Sequence, residues 1–308
     1  MIYDLIILGG GPAGVSASVY AARKKLKTLF ITSEFGGQST VSEKIYNWIG
    51  SPEIGGMELA DNFKKHVTAN VGEDLEVKEG SKAILVSKKD DNFIVKTDSD
   101  EEYEGKTILI STGSGRRKLI AKNADTLEHK GITYCASCDG PLFSGADVAV
   151  IGSGNAGFES AAQLLAYCNS VTLVNRSENF RADEVTIQKV LSHPKMKVIK
   201  NAEILEIKGE KFVQGLIYKD KISGETKEIP VTGIFVEIGQ IPNTDLVKDL
   251  VETDEINGIK IDPWTNRTST AGIWAAGDCT NILYHQNNIA AGDGVKALED
   301  IYLYLHTK

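Results

Sequence analysis

The sequence predicts an α/β chain of two Rossmann-like dinucleotide-binding domains, the second inserted into the first. Three observations predict it. A glycine-rich turn follows an apolar strand twice, as Gly9-Gly10-Gly11-Pro12-Ala13-Gly14 and as Gly152-Ser153-Gly154-Asn155-Ala156-Gly157, with first glycines 143 residues apart (152 − 9). Each turn leads into a helical stretch and then a second apolar strand. Two further apolar runs, Lys106 to Gly113 and Ile234 to Gly239, each lead into a crossing between domains.

The elements follow in order. Leu5 to Leu8 is a strand, Val15 to Arg23 a helix, and Thr28 to Thr32 a strand ending at Glu34. Lys106 to Gly113 is a buried strand, and Gly113-Ser114-Gly115 crosses into the second domain. There Val148 to Ile151 is a strand, Phe158 to Tyr167 a helix, and Val171 to Val174 a strand ending at Asn175-Arg176. Gln240 to Asn243 leads back. Ile273 to Asp278 is a last strand, and a helix containing Asn288 to Gly294 follows. The first domain is therefore expected to be discontinuous, residues 1–113 and 243–308, with residues 114–242 inserted.

A chain of 308 residues suits two domains with sizeable cores. The net charge of −8 argues against a nucleic-acid binder, which would need a basic face. No apolar run approaches the roughly 20 residues needed to cross a bilayer. The chain opens on a strand rather than a secretory signal, so a cytoplasmic location is expected. Of the four cysteines, Cys135 and Cys138 form a CxxC with no second CxxC or CxxH, a poor zinc site, so no metal is expected. Cys168 ends an apolar helix and reads as a packed residue, as does Cys279. His193 and His285 read as surface or packing residues.

In the first turn, Gly9 permits the tight bend, Gly11 lets the backbone approach a pyrophosphate, and Gly14 lets helix and strand pack closely. The helix N-terminus offers unpaired N–H groups to phosphates. Glu34, 20 residues after Gly14, is placed to accept from a ribose diol. Asp278 suits a ribityl hydroxyl, and Gly36-Gly37-Gln38 a cofactor-contacting loop. The second turn repeats the phosphate logic with Gly152, Gly154 and Gly157. Its following strand ends without an acid, while Arg176 and Arg181 can pair with a 2′-phosphate, which favours NADPH over NADH. Between the turns, Cys135-Ala136-Ser137-Cys138 at a helix start lowers a thiol pKa. Asp139 serves either as a proton carrier or as a turn residue. Two dinucleotide sites and one dithiol amount to an electron path from nicotinamide to flavin to disulfide.

These motifs, with Ser111-Thr112-Gly113, Cys135 to Gly140 and Ala275-Ala276-Gly277-Asp278, resemble the low-molecular-weight thioredoxin reductase family over essentially the whole chain. The resemblance implies FAD in the outer domain, NADPH in the inserted one, and a homodimer. It also implies a disulfide reductase serving thioredoxin or a glutaredoxin-like carrier. By motif position, Cys138 is the flavin-proximal sulfur, Cys135 attacks the partner disulfide, Asp139 matches the family's acid, and Glu159 lies near the nicotinamide. The expected cofactor set also takes in Pro12, Ala13, Gly37, Gln38, Asn47, Thr112, Gly113, Gly277, Gln286, Asn287 and Asn155. The family's His-Arg-Arg-x-x-x-Arg signature reads Asn175 to Arg181 here, without the histidine and one arginine, so a weakened NADPH preference is expected. His285-Gln286-Asn287 replaces Arg-Gln-Ala. The tail is also similar to the flavoprotein component of alkyl hydroperoxide reductase. The alternative is thus a ferredoxin- or NADH-dependent relative serving a peroxiredoxin system.

Overall fold

The structure, a computed structural model, describes residues 1–42 and 44–307. The chain divides into two compact units, Met1–Gly115 with Gln240–Lys308, and Arg116–Gly239. Lys308, the end of the expected 243–308 segment, lies outside the described residues.

The first unit is built on a seven-stranded sheet in the order Leu75–Glu79, Thr28–Phe35, Ile2–Gly10, Glu102–Ile110, Asn92–Thr97, Ala83–Lys89, with Ile273–Ala275 alongside Glu102–Ile110. The strands from Leu75–Glu79 to Glu102–Ile110, and Ile273–Ala275, are parallel, and the hairpin 83–97 is antiparallel. The central strand is apolar on both faces because both are covered. Leu5 and Ile7 join one core with Phe30 and Trp274, under helices Pro12–Arg23 and Asn287–His306. Ile6 and Leu8 join another with Ile110, Leu246 and Val247. Gly294 lets the two helices meet, since a Cβ there would lie 2.1 Å from Ala13 O.

The second unit has a five-stranded parallel sheet in the order Met196–Ile199, Ser170–Val174, Asp147–Ile151, Gly233–Val236, Ile132–Thr133. Its central strand alternates in the same way, with Val148 and Val150 facing one core and Ala149 and Ile151 the other. A three-stranded antiparallel sheet, Ala202–Lys208, Gly215–Asp220 and Thr226–Ile229, completes it. The chain leaves Asp147–Ile151 toward Ser170–Val174 on one side and has Gly233–Val236 on the other. Strand order therefore reverses at this point, where α/β sheets open a crevice beyond their carboxyl ends.

Both helices after the glycine turns start earlier than their apolar runs, at Pro12 and Asn155 rather than Val15 and Phe158. Pro12 sits at the first helical position, where its fixed φ fits and its missing N–H is not needed. The second helix ends at Leu164 rather than Tyr167. The strand 102–110 stops before Gly113, whose φ of +63° turns the chain out of the sheet. Among the described residues no helix is long and apolar enough to cross a membrane.

Candidate active site

In the first unit the turn at Gly9 is sterically enforced. Its φ is +114°, and a Cβ there would lie 2.3 Å from Ser111 O. Gly14 is equally closed, its Cβ falling 1.9 Å from Gly9 O. Gly11 is the opposite case, with nothing within 4 Å. The turn thus holds itself together through Gly9 and Gly14 and leaves its outer face bare at Gly11. That face opens on a cleft of about 560 Å³. Gly9, Gly11, Pro12 and Ala13 line it with Glu34, Gly37 and Gln38, and Thr112, Gly113, Gly277, Asp278 and Asn287 complete the predicted set there.

Ser111 Oγ donates to Leu8 O at 2.9 Å, under the turn. Thr112 Oγ1 donates to Asn243 O at 2.6 Å while Asn243 Nδ2 donates back to Thr112 O at 3.0 Å, fixing one wall. His285 Nδ1 lies 3.4 Å from Asp278 Oδ1. Asn47 and Gln286 do not line the cleft; Asn47 Nδ2 donates to Gln286 Oε1 at 3.2 Å.

The second unit repeats the construction. Gly152 has φ +122° and a Cβ position 2.0 Å from Glu237 O, and Gly157 would meet Gly152 O at 2.3 Å. Gly154 again has nothing within 4 Å. Arg181 N–H donates to Ser153 O at 2.9 Å, so the 175–181 loop is laid against the turn. Asn175 builds that loop: its Nδ2 donates to Ser177 O at 2.7 Å and Asn179 O at 3.0 Å. Asn155 Oδ1 accepts from Asp183 N–H at 2.9 Å, tying the helix start to the same loop. Arg176 and Arg181 are exposed, and neither guanidinium has an ion-pair partner among the described residues. Glu178, between them, pairs with Lys200 at 3.0 Å. Glu159 is exposed on the helix Asn155–Leu164.

Cys135 and Cys138 form a disulfide just past the edge strand Ile132–Thr133, on the carboxyl side of the sheet. Cys135 caps a one-turn helix, Ala136–Asp139, and Cys138 N–H donates to Cys135 Sγ at 3.2 Å. A donor aimed at that sulfur favours its thiolate once the bond is reduced. The Asp139 carboxyl accepts from Thr133 Oγ1 and caps nothing after it. Burial pushes its pKa above the ordinary carboxylate value, against the Thr133 hydrogen bond and the Arg116 charge. Arg116 itself donates to Tyr134 O. Cys168 and Cys279 are free and buried.

A family profile described as pyridine nucleotide-disulphide oxidoreductase matches residues 3–294. The chain belongs to that family.

Within it, the fold is that of thioredoxin reductases. The enzyme from Streptococcus pyogenes MGAS5005 superposes with a TM-score of 0.90 at 32% identity, covering 100% of this chain and 99% of that one. The Giardia duodenalis enzyme gives a TM-score of 0.92 at 29% identity, with 99% of each chain covered. Among curated proteins, a Bacillus subtilis NADH dehydrogenase and the F component of Escherichia coli alkyl hydroperoxide reductase are each 38% identical over 98% of this chain. The chain spans 58% of the length of each. The chain carries the fold of the thioredoxin-reductase-type flavoprotein disulfide oxidoreductases, and this fold implies FAD and a pyridine nucleotide. The residues fit two such groups: both turns close on themselves and leave a bare backbone face, at Gly11 and Gly154, where a phosphate approaches.

One residue was not read from the sequence. Glu237 follows the strand Gly233–Val236, and its Oε1 accepts from Ser160 Oγ at 2.6 Å. Burial pushes its carboxyl up to about 7. The available signal was a lone acid inside Ile234-Phe235-Val236-Glu237-Ile238, a run otherwise apolar.

Proposed function

We propose that the chain takes reducing equivalents from a pyridine nucleotide and delivers them through Cys135 and Cys138 to the disulfide of a separate small redox protein, thioredoxin or a similar carrier. The observation that carries this reading is the Cys135–Cys138 disulfide beyond the edge strand, with an amide aimed at Cys135 Sγ and, at Asp139, a carboxyl whose pKa burial raises. The unit 1–115 with 240–308 is the FAD-binding domain and the unit 116–239 the pyridine-nucleotide domain. When bound, flavin and nicotinamide supply the electron pair that opens the disulfide. Gly9 to Gly14 hold the flavin's pyrophosphate, Glu34 its adenosine ribose, and Asp278 its ribityl chain. Gly152 to Gly157 hold the nucleotide's pyrophosphate.

The Cys135 thiolate attacks one sulfur of the partner disulfide and expels the other as a thiolate. Cys138 then attacks Cys135, releasing the second partner sulfur and restoring the bond between the two cysteines. Two electrons pass, and Asp139 supplies a proton to a departing sulfur. The working molecule is a cytoplasmic homodimer.

For the donor we take NADPH, on Arg176 and Arg181, which stand exposed on the loop laid against the glycine turn. NADH is the second reading, favoured by a relative named NADH dehydrogenase and by Asn175 being spent on its own loop. The test is anaerobic reduction of thioredoxin and of a peroxiredoxin-type disulfide protein by the FAD-loaded enzyme with either nucleotide. Turnover with thioredoxin and NADPH supports the first reading. Turnover confined to NADH, or to the peroxiredoxin-type protein, replaces the corresponding part.

A further inference from the structure

Glu237 has no part in the chemistry above, yet it occupies the most telling place in the second unit. It directly follows the strand next to Asp147–Ile151, on the far side from Ser170–Val174. Its backbone is locked to the glycine turn: its N–H donates to Ile151 O at 2.7 Å, and its carbonyl fills the space that a Cβ on Gly152 would need. A dinucleotide with its pyrophosphate on that turn has two halves to place. The loop 175–181, with Arg176 and Arg181, lies at the tip of Ser170–Val174 and takes the adenosine half. The nicotinamide half is left for the opposite side, where the strands Gly233–Val236 and Ile132–Thr133 are followed by Glu237 and the cysteine pair.

The carboxyl is built in rather than dangling. One oxygen is held by Ser160 Oγ at 2.6 Å, from the inner face of the helix Asn155–Leu164. The charged groups that face it are Arg116, which favours the carboxylate, and Glu159 on the same helix, which opposes it. The glycine turn presents only backbone. A nicotinamide ring is uncharged when reduced and positively charged when oxidised. An acid beside it, in a partly dehydrated crevice, distinguishes the two by charge.

We propose that Glu237, braced by Ser160, is a positioning residue that reads the redox state of the nucleotide: its carboxylate favours the oxidised ring and its neutral form the reduced one. The proposal rests on the reading of this unit as the pyridine-nucleotide domain. Release of the spent nucleotide is then slowed where Glu237 is ionised, and its exchange quickens at lower pH.

The test is equilibrium binding to the FAD-loaded enzyme, measured by calorimetry between about pH 5.5 and 8.5. The probes are NADP⁺ and its 1,4,5,6-tetrahydro form, which is uncharged at the ring and cannot give hydride. Comparing the two cancels titration of the 2′-phosphate. The ratio of their affinities should swing toward NADP⁺ by about tenfold as pH rises through neutrality. Glu237→Gln should flatten that ratio while still binding both probes. Ser160→Ala, which removes a donor to the carboxylate, should move the midpoint to higher pH. A ratio independent of pH in the parent, or an unchanged swing in Glu237→Gln, overturns the proposal and leaves the domain reading standing. Binding of neither probe overturns both.

Discussion

Two pairs of glycine substitutions separate what holds each turn together from what the turn holds. A methyl at Gly14 would sit 1.9 Å from Gly9 O, where such atoms essentially never come closer than 3.0 Å, so strand and helix must part by more than 1 Å. Overpacking on this scale costs about 1–3 kcal/mol, or roughly 2–12 °C in melting temperature for a unit of this size. At Gly11, φ is −75° and a methyl meets nothing within 4 Å. There the loss of a glycine N-cap, under about 1 kcal/mol, is offset by a stiffer unfolded chain. The methyl instead projects over the bare face of the turn. Holding the phosphate off one N–H removes about 1.5–3 kcal/mol, or roughly tenfold to a hundredfold in FAD affinity. The assay is thermal unfolding of the FAD-stripped protein beside a fluorescence titration with FAD. Gly11→Ala should melt like the parent and bind weakly, whereas Gly14→Ala should melt early. Gly154→Ala and Gly157→Ala should repeat the contrast for the pyridine nucleotide, since Gly154 is open and Gly157 would meet Gly152 O at 2.3 Å. Parent-like FAD affinity in Gly11→Ala, or equal loss of stability in all four, would show that the open and closed glycines do not differ in this way.

Further outcomes follow from the same geometry. Cys138→Ser should leave a Cys135 thiol that traps a covalent disulfide with the partner protein on a non-reducing gel, and Cys135→Ser should trap none; the reverse pattern would exchange their roles. Arg176→Ala and Arg181→Ala should each raise the KM for NADPH about tenfold or more and leave that for NADH nearly unchanged, whereas equal losses would make the arginines structural. Glu237 predicts a pH dependence of stability. Below its ordinary value of 4.5 the carboxyl is neutral folded or unfolded, and between there and about 7 only the folded chain keeps the proton. Stability therefore falls as pH rises across that window and is level above it. Discounted for partial exposure, the loss is about 1–3 kcal/mol, and urea unfolding of Glu237→Gln at pH 8 should recover it. No gain in that variant would show that burial does not penalise the charge.

What was legible in the sequence is what backbone sterics and apolar burial dictate. The glycine turns were readable because the fold leaves no room for another residue at Gly9, Gly14, Gly152 or Gly157. The central strands were readable because Leu5 to Leu8 and Val148 to Ile151 are buried on both faces. The antiparallel pieces were not. Ala83–Lys89 opens on the apolar Ala83 to Val86 yet buries only Val86, and Thr226–Ile229 buries no residue fully, so neither carries the signature of a buried strand. Pairing with a neighbour, not local pattern, makes them strands. Glu237 was missed for a similar reason. Its meaning comes from Ser160, 77 residues earlier, and from the reversal of strand order, neither visible along the chain.

On the proposed function, a pyridine nucleotide opens the Cys135–Cys138 bond within this one chain. Counting reactive thiols measures it directly. The FAD-loaded protein, held without oxygen, is treated with excess NADPH or NADH, quenched in denaturant with an alkylating reagent, and weighed by mass spectrometry. Cys168 and Cys279 are free throughout. The expected result is a rise from two alkylated cysteines to four, with the two additions at Cys135 and Cys138. A count that stays at two with both nucleotides would contradict it.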